Sequence, residues 1–248
     1  MYINTAGIVL REVLYKDSSK ILTVLTGSEG KLTVSAHGAH RKNSKLAAVT
    51  GLLVFSEMTL LKKKDRFTMT EARSVEMFTG LRDDLALLSL GAYIAELTET
   101  VADEDSPNPE LLPLCLNALY ALSEKIKAPS YVKPVFELRL MALSGFEPVL
   151  ECRANNITSF GNYISEENLF EDGVLRLSPG AYKAAEYILK CEAKKLFAFT
   201  LKEEALNELS KAVEKYLLAH LDKQFRTLEY YKKVLTFEYS SDKLVEPL

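Results

Sequence analysis

The spacing of apolar residues changes near residue 77, and this change limits the folds that the chain can adopt. The first 76 residues contain five short segments rich in Val, Ile, Leu, Thr and Phe, as strands are: Ile8–Tyr15, Ile21–Leu25, Leu32–Ala36, Leu52–Leu61 and Phe67–Val75. From residue 78 the apolar residues follow helical spacing, beginning with Leu81, Leu85 and Leu88. We therefore predict an α+β protein with one domain over residues 1–77 and a mostly helical domain over 78–248.

The five segments of the first domain suit a small β-barrel. Gly27-Ser28-Glu29-Gly30 separates the second segment from the third, as a hairpin turn would. Five short strands in about 75 residues are enough for an OB-fold. An SH3-like barrel would produce much the same pattern, so the periodicity alone does not choose between them.

Capping signals divide the second domain into helices. Ser106-Pro107-Asn108-Pro109 ends the first helix, and Asn108 caps the next one. Val132–Leu143 forms a third helix, and Ser178-Pro179 caps a fourth that runs to about Lys190. Thr200-x-x-Glu203 is a capping-box pattern that opens a long helix through about Asp222. Residues 146–177 between these helices are predicted to be an irregular or strand-like insertion.

The formal net charge of −3 conceals a marked asymmetry along the chain. Residues 1–80 carry 12 Lys and Arg against 7 Asp and Glu, whereas the remaining residues carry 19 against 27. Phosphate binding responds to the local field of a basic patch rather than to the charge of the whole chain. The distribution therefore predicts a site for a polyanion in the first domain and protein contacts in the second.

The cysteines and the hydropathy indicate a cytoplasmic protein. The chain has three cysteines, an odd number that are far apart in sequence, and this pattern is not a disulfide framework. No apolar run approaches the roughly 20 residues that a bilayer span needs. The first residues do not resemble a signal peptide.

Two basic loops of the first domain carry the strongest chemical signal. One lies between the third and fourth strands, and the other is the tight turn between the fourth and fifth. Their candidate DNA-binding residues, together with one lysine at the start of the third strand, are Lys31, His40, Arg41, Lys42, Lys45, Lys62, Lys63, Lys64 and Arg66. Lys and Arg there would neutralise phosphates and give affinity without sequence preference. The alternative is that both loops are merely solvated.

Two aromatic residues are candidates for base stacking. Tyr15 lies beside Lys16 at a strand end, and Phe67 lies beside Arg66 at the edge of a loop. The alternative is that both rings belong to the core of the barrel. The chain has no Trp, so any stacking platform must use Tyr or Phe.

Enzyme signatures are missing from the sequence, and we predict that the protein is not an enzyme. It has no P-loop, no G-x-S-x-G, no G-x-G-x-x-G and no H-E-x-x-H pattern. His37-x-x-His40 lacks the neighbouring Cys or acidic residues that would complete a metal site. Asp83-Asp84 and Asp103-Glu104-Asp105 lie where solvated carboxylates are normal, which argues against a nuclease.

An ordered series of segments resembles the RecO family of recombination mediators. His37-Gly38-Ala39-His40-Arg41-Lys42-Asn43-Ser44-Lys45-Leu46 is similar to that family's alanine-glycine-alanine, basic-pair and serine-lysine-leucine loop. The other matching segments extend over nearly the whole chain in the family's order: Gly7–Leu10, Tyr15–Thr26, Glu29–Lys31, Leu81–Leu85, Ala92–Leu97, Pro107–Leu111, Phe136–Leu140, Gly145–Pro148, Leu177–Ala181 and Tyr216–Leu228. No single segment is diagnostic, but the ordered set is fairly specific.

The resemblance implies an N-terminal OB-fold on a helical domain and a nucleoid-associated protein without catalytic activity. It implies binding to single- and double-stranded DNA, annealing of complementary strands and, with RecR, loading of RecA onto DNA coated by single-strand binding protein (SSB). It also implies that the C-terminal tail of SSB binds the helical domain, where Lys133 and Arg139 flank apolar residues and are candidate contacts. The alternative function is an OB-fold adaptor that binds RNA or an acidic protein tail.

The insertion departs from the family pattern. Many relatives carry two Cys-x-x-Cys pairs there that bind structural zinc, but this chain retains only Cys152, with Asn155 at the partner position. One thiolate cannot build a four-ligand site. We therefore predict a degenerate zinc-finger-like insertion that holds no metal, and no cofactor elsewhere.

Overall fold

The computed structural model describes residues 1–104, 107–153, 157–160 and 175–242, which form two compact units. Unit 1 comprises Met1–Glu124 and Phe225–Leu248, and unit 2 comprises Lys125–Gln224. The predicted domain boundary at residue 77 lies inside unit 1, where strands give way to helices, and it stays a prediction. Among the described residues, no helix is both long and apolar enough to cross a membrane.

Unit 1 begins with a closed five-stranded barrel, as the sequence predicts. Its strands are β1 (Tyr2–Tyr15), β2 (Ser19–Thr26), β3 (Lys31–Ala36), β4 (Phe55–Lys63) and β5 (Arg66–Glu76). They close in the order β1-β2-β3-β5-β4, with β3 and β5 parallel and the other neighbours antiparallel. This order is that of an OB-fold, and it resolves the choice that periodicity left open.

The barrel closes through a part of β1 that the sequence pattern does not reveal. Tyr2–Ile8 pairs with β4, and Gly7–Tyr15 pairs with β2. Asn4, Ala6 and Gly7 are residue types that are depleted in strands, and they conceal the first half of this strand from a search by composition. A Cβ on Gly7 would lie 2.7 Å from Val24 Cγ1, so the two strands can approach here only because residue 7 is glycine.

Alternation along the strands fills the barrel interior. Leu32, Val34 and Ala36 of β3 point inward and are buried, and they pack with Leu22 and Leu60 from neighbouring strands. Full burial of each Val or Leu side chain contributes roughly 1.5–3 kcal/mol. The outward residues of the same strands remain available for contacts with helices or ligands.

Three helices complete unit 1: α1 (Leu85–Val101), α2 (Leu111–Ser123) and α6 (Arg226–Asp242). The Asp84 carboxylate caps α1 by accepting hydrogen bonds from the backbone N–H groups of Ala86 and Leu87. The second helix begins at Leu111 rather than Pro109, although Asn108 Oδ1 still accepts a hydrogen bond from the N–H of Glu110 at 3.0 Å. No capping pattern in the sequence predicts the start of α6.

Unit 2 contains α3 (Pro129–Leu143), α4 (Pro179–Lys190) and α5 (Glu203–Leu221). Ser178 caps α4 as predicted, with its hydroxyl accepting from the N–H of Ala181. The predicted capping box of α5 is wrong, because the helix begins two residues later than a cap at Thr200 would place it, and Lys202, whose side chain makes no capping hydrogen bond, occupies the cap position. The start of this helix therefore depends on Glu203 and Glu204 in its first turn, where carboxylates interact favourably with the helix dipole.

The insertion contributes a small antiparallel sheet with the order β6-β7-β8. Its strands are β6 (Leu150–Arg153), β7 (Ile157–Phe160) and β8 (Leu175–Leu177). Cys152 lies in β6, and Asn155 lies outside the described residues. The predictions of a degenerate zinc-finger-like insertion and of no bound zinc therefore stay predictions.

Candidate nucleic-acid interface

The loop that follows β3 presents five basic side chains on an ordered backbone. We call residues 37–47 the basic loop. Ala39 is buried and anchors it, and the N–H of His40 donates to the carbonyl of Ser18 at 3.0 Å. Successive turns then follow, with N–H to carbonyl bonds from Arg41 to Gly38 and from Ser44 to Arg41. The exposed basic side chains are His37, His40, Arg41, Lys42 and Lys45.

The β4–β5 hairpin presents four more cations. We call residues 62–66 the basic hairpin. Lys63 pairs with Arg66 across the hairpin, and Lys64 and Asp65 form its two-residue turn. Lys64 has φ of +54°, a left-handed conformation that holds its side chain at the tip. The exposed cations are Lys62, Lys63, Lys64 and Arg66.

The basic loop and the basic hairpin lie at opposite ends of the barrel. Strands β1, β3 and β5 run in one direction and β2 and β4 in the other. The basic loop leaves the end of β3, whereas the hairpin precedes the start of β5, and Phe67 is aligned with Val34. Arg66 is therefore level with Thr33, and about four residues separate it from the basic loop along the strand direction, a distance of roughly 13 Å.

A strip of small hydroxyl side chains connects the two basic ends. Thr33 and Ser35 point outward from β3, and Thr68 is the register partner of Ser35 on β5. All three are at least partly accessible. Hydroxyl groups donate hydrogen bonds to phosphate oxygens in protein–DNA contacts. None of these three outward positions carries a carboxylate that would repel a phosphate. The alternation of β3 could have identified this strip from the sequence, since Leu32, Val34 and Ala36 must fill the interior.

The two aromatic candidates have different environments. Tyr15 is 48% exposed at the end of β1, with Lys16 Nζ 5.3 Å from its ring centroid. It lies at the same end of the barrel as the basic loop. Phe67 is only partly exposed because its ring packs against the barrel core, while Lys62 Nζ lies 5.1 Å from the ring centroid. Tyr15 is therefore the more accessible stacking surface.

Lys31 differs from the other basic candidates because its ammonium is engaged within the fold. Its Nζ donates to the carbonyl of Glu99 at 3.0 Å, in the last turn of α1. Its backbone N–H donates to the carbonyl of Asp103 at 3.2 Å. Arg11 Nε also pairs with the Glu99 carboxylate at 2.9 Å. These cations fasten the barrel to the carbonyl end of α1, where positive charge is favoured.

The cations of the basic loop and basic hairpin are directed to solvent instead. Among the described residues, none of the ion pairs involves Arg41, Lys42, Lys45 or any cation of the hairpin. Each charge therefore keeps its hydration and its freedom until an anion binds. Phosphate contacts by such cations contribute more to the free energy of binding, because binding releases condensed counterions and no structural ion pair has to be broken.

Lys133, one of the two residues proposed to contact an SSB tail, lies in the interior of unit 2. Its side chain is only 7% exposed, and its Nζ lies 2.9 Å from Glu137 Oε1 and 2.7 Å from Glu214 Oε2. Burial alone would lower the pKa of Lys133, but the two carboxylates outweigh it and raise that pKa above the ordinary value. The ammonium is thus a counter-ion inside the unit, and a peptide at the surface does not reach it.

Arg139, the second residue proposed to contact an SSB tail, binds the C-terminal end of α4. Its Nη1 donates to the carbonyls of Ile188 at 3.2 Å and Leu189 at 2.6 Å, which belong to the last turn of that helix. The apolar residues beside it form core rather than a groove, because Val132, Val135, Phe136, Leu138 and Leu140 are fully buried.

Comparison with known proteins gives a consistent result over both parts of the chain. The family model described as "Recombination protein O N terminal" matches residues 1–78, and the model described as "Recombination protein O C terminal" matches residues 82–229. "DNA repair protein RecO" of Acetivibrio thermocellus is 34% identical over 93% of this chain and 96% of its own length. The proteins of the same name from Caldicellulosiruptor bescii and Bacillus subtilis are 30% and 28% identical, over 93% and 85% of this chain and 98% and 86% of their own lengths.

Proposed function

The chain belongs to the RecO family and has a role in DNA repair and recombination, and from this premise we propose that it is a recombination mediator. It binds single- and double-stranded DNA without sequence preference and anneals complementary strands. With RecR it promotes the loading of RecA onto single-stranded DNA coated by SSB. It does this without catalysing a reaction, in the cytoplasm and in association with the nucleoid.

One observation carries the DNA-binding part of this proposal: solvent-directed cations lie after the end of β3 and before the start of β5, with hydroxyl groups between them. A strand laid along this path contacts the basic loop, then Thr33, Ser35 and Thr68, and then the basic hairpin. The separation of roughly 13 Å corresponds to about four nucleotides at about 3.4 Å each. OB-folds occupy about 4–16 nucleotides, so the path has the expected length.

The chemistry of this path explains binding without sequence preference. Ammonium, guanidinium and hydroxyl groups contact phosphates, which are the same in every sequence. Annealing requires two polyanions to approach each other, and cations that neutralise both backbones reduce their repulsion. Tyr15 adds a ring at the basic-loop end on which an unpaired base can stack.

Membership of the family supports RecR, RecA indirectly and the acidic C-terminal tail of SSB as partners. An acidic tail with an aromatic residue needs an apolar pocket beside a cation. In unit 2, the apolar residues of α3 are buried and Lys133 is neutralised by carboxylates. We therefore propose that a tail that binds unit 2 contacts a surface other than the buried apolar residues of α3.

Strand annealing tests the proposal directly. The rate at which the protein anneals two complementary oligonucleotides, with and without bound SSB, is compared with that of two variants. One variant replaces Arg41, Lys42 and Lys45 with Ala, and the other replaces Lys62, Lys63, Lys64 and Arg66 with Ala. Each should anneal at least tenfold more slowly.

The matched control removes exposed charge from unit 2 by replacing Lys194, Lys202 and Lys211 with Ala. It should anneal at the rate of the unmodified protein. If the unmodified protein does not accelerate annealing, the proposed function is wrong. If all three variants anneal equally well, the barrel path is wrong.

A further inference from the structure

The last helix of unit 1 has one buried face, which packs on α1. Leu228, Tyr231 and Val234 of α6 are buried. Just before the helix, the ring of Phe225 packs edge-on against Tyr93 with centroids 5.8 Å apart. The Glu96 carboxylate accepts hydrogen bonds from the backbone N–H and the hydroxyl of Thr227, at the first turn of α6. These contacts fix the rotation of α6 about its axis and therefore which face points to solvent.

The solvent face of α6 alternates cations with aromatic rings. Arg226, Tyr230, Lys233 and Phe237 follow one another at spacings of four, three and four residues. At about 100° per residue, these spacings keep all four within roughly 60° of one another around the helix. All four are exposed, with Tyr230 at 51% and Phe237 at 76%. We call these four residues the α6 stripe.

Exposure of two large aromatic rings on one helix face is unusual for a surface that binds nothing. Over residues 226–237 the other exposed residues are Glu229, Lys232, Leu235 and Thr236, and the rings are flanked by the two cations of the stripe. A nucleic acid strand offers a matching alternation, with phosphates for the cations and base faces for the rings. In a duplex the base faces are stacked on one another, so rings of this kind select unpaired strands.

We propose that the α6 stripe is a second DNA contact of unit 1, specific for single strands. Tyr230 and Phe237 stack on bases, and Arg226 and Lys233 contact phosphates. Residues seven apart are about 10.5 Å apart along the helix, which is about three nucleotides of a stacked strand. The inference rests on the proposed DNA-binding function and adds a surface outside the barrel, one that discriminates single from double strands.

A single-tryptophan reporter tests whether bases reach the stripe. The chain contains no Trp, so Tyr230→Trp introduces the only indole. Its fluorescence should be quenched when a 30-nucleotide oligo(dT) is added and should change little with a duplex of the same length. The matched control is Tyr120→Trp, on α2 of the same unit and equally exposed at 51%, which should not be quenched by either DNA.

Substitutions in the stripe test its contribution to affinity. The double variant Tyr230→Ala/Phe237→Ala should bind oligo(dT) at least tenfold more weakly and should bind the duplex within twofold of the unmodified protein. Arg226→Ala/Lys233→Ala should reduce the slope of log affinity against log salt on oligo(dT) by roughly 1.4, at about 0.7 per phosphate contact. Leu235→Ala, on the same helix but off the stripe, should do neither, and circular dichroism checks that each variant is folded.

The outcomes separate this inference from the proposed function. If the unmodified chain binds neither DNA, the proposed function fails and the inference fails with it. If the chain binds oligo(dT) but Tyr230→Trp is not quenched and the aromatic double variant keeps full affinity, only the inference is overturned. It is equally overturned if that double variant changes the sedimentation of the protein but not its binding to oligo(dT), since the stripe is then a protein interface.

Discussion

The basic loop and hairpin of the barrel and the helix α3 of unit 2 carry similar cations in opposite environments. The cations of the basic loop and the basic hairpin lie in turns or beside them, are exposed and form no ion pair among the described residues. On α3, Lys133 is buried between two carboxylates, and Arg139 donates to the last carbonyls of α4. The first group is available to a ligand, and the second holds the fold together.

The contrast follows from the elements on which the residues lie. A turn between strands has no apolar face to bury, so its Lys and Arg side chains extend into water. A helix such as α3, whose apolar residues are buried on several sides, carries its polar side chains into the core with them. Charged side chains can remain in the core only if oppositely charged or hydrogen-bonding partners neutralise them. The same residue type therefore indicates binding in one region and stability in the other.

The largest effect that tests this contrast is expected at Lys133. Lys133→Met leaves the Glu137 and Glu214 carboxylates without this cation in a buried site, and it should reduce the free energy of unfolding by about 3–5 kcal/mol. Urea denaturation followed by circular dichroism measures the change. Lys211→Met, an exposed substitution in the same unit, should have little effect. A small loss for Lys133→Met would mean that this ion pair is not structural.

The pH dependence of stability has a defined sign at the same site. The pKa of Lys133 is raised in the folded protein, because its two carboxylate partners outweigh burial. A raised lysine pKa stabilises the fold at pH values below the ordinary pKa of 10.5, and this contribution is lost as the pH rises through the higher folded value. The alkaline loss of stability should therefore be smaller in Lys133→Met than in the unmodified protein.

A smaller loss of stability is expected at Arg139. Arg139→Met removes charged hydrogen bonds to the carbonyls of Ile188 and Leu189 and should cost about 1.5–3 kcal/mol. The affinity of the folded variant for oligo(dT) should be unchanged, because the guanidinium of Arg139 donates its hydrogen bonds to α4 within unit 2. A variant of normal stability that has lost affinity for an SSB tail peptide would show instead that Arg139 is a binding residue.

Much of the barrel is predictable from the sequence, because strand alternation and a glycine turn are local signals. The pairing of Tyr2–Ile8 with β4 is not local, and neither is the position of α6, which follows 100 residues of unit 2 and then returns to α1. The environment of Lys133 depends on Glu214, 81 residues further along the chain. Exposure of the basic turns could be anticipated, but their location at opposite barrel ends required the order of the strands.

Base stacking at the barrel should have a more modest effect than either core substitution. Tyr15→Ala is expected to weaken binding to oligo(dT) by about 1 kcal/mol, or about fivefold, and to leave duplex binding unchanged. Fluorescence anisotropy of labelled DNA measures both affinities. Tyr120→Ala is the control, since it removes an equally exposed ring on α2. Equal losses with single and double strands would show that the Tyr15 ring does not stack on bases.

The smallest effect is expected from metal removal, which tests whether the insertion is held by packing alone. Only one cysteine remains of the four that would bind zinc, so a strong chelator should leave the melting temperature unchanged. Elemental analysis should find no stoichiometric zinc. About one zinc per chain, together with a lower melting temperature after chelation, would contradict this prediction.

The salt dependence of DNA binding tests the contrast between the two regions most directly. Affinity for oligo(dT) is measured from low to high salt for the unmodified protein, for the basic-hairpin variant with Lys62, Lys63, Lys64 and Arg66 replaced by Ala, and for a unit 2 variant with Lys183, Lys194, Lys202 and Lys211 replaced by Ala. Both variants lose four exposed positive charges. The slope of log affinity against log salt should fall by roughly 2.8 in the hairpin variant, at about 0.7 per phosphate contact, and stay constant in the unit 2 variant. Equal slopes in all three proteins, or the larger fall in the unit 2 variant, would contradict the assignment of DNA binding to the barrel.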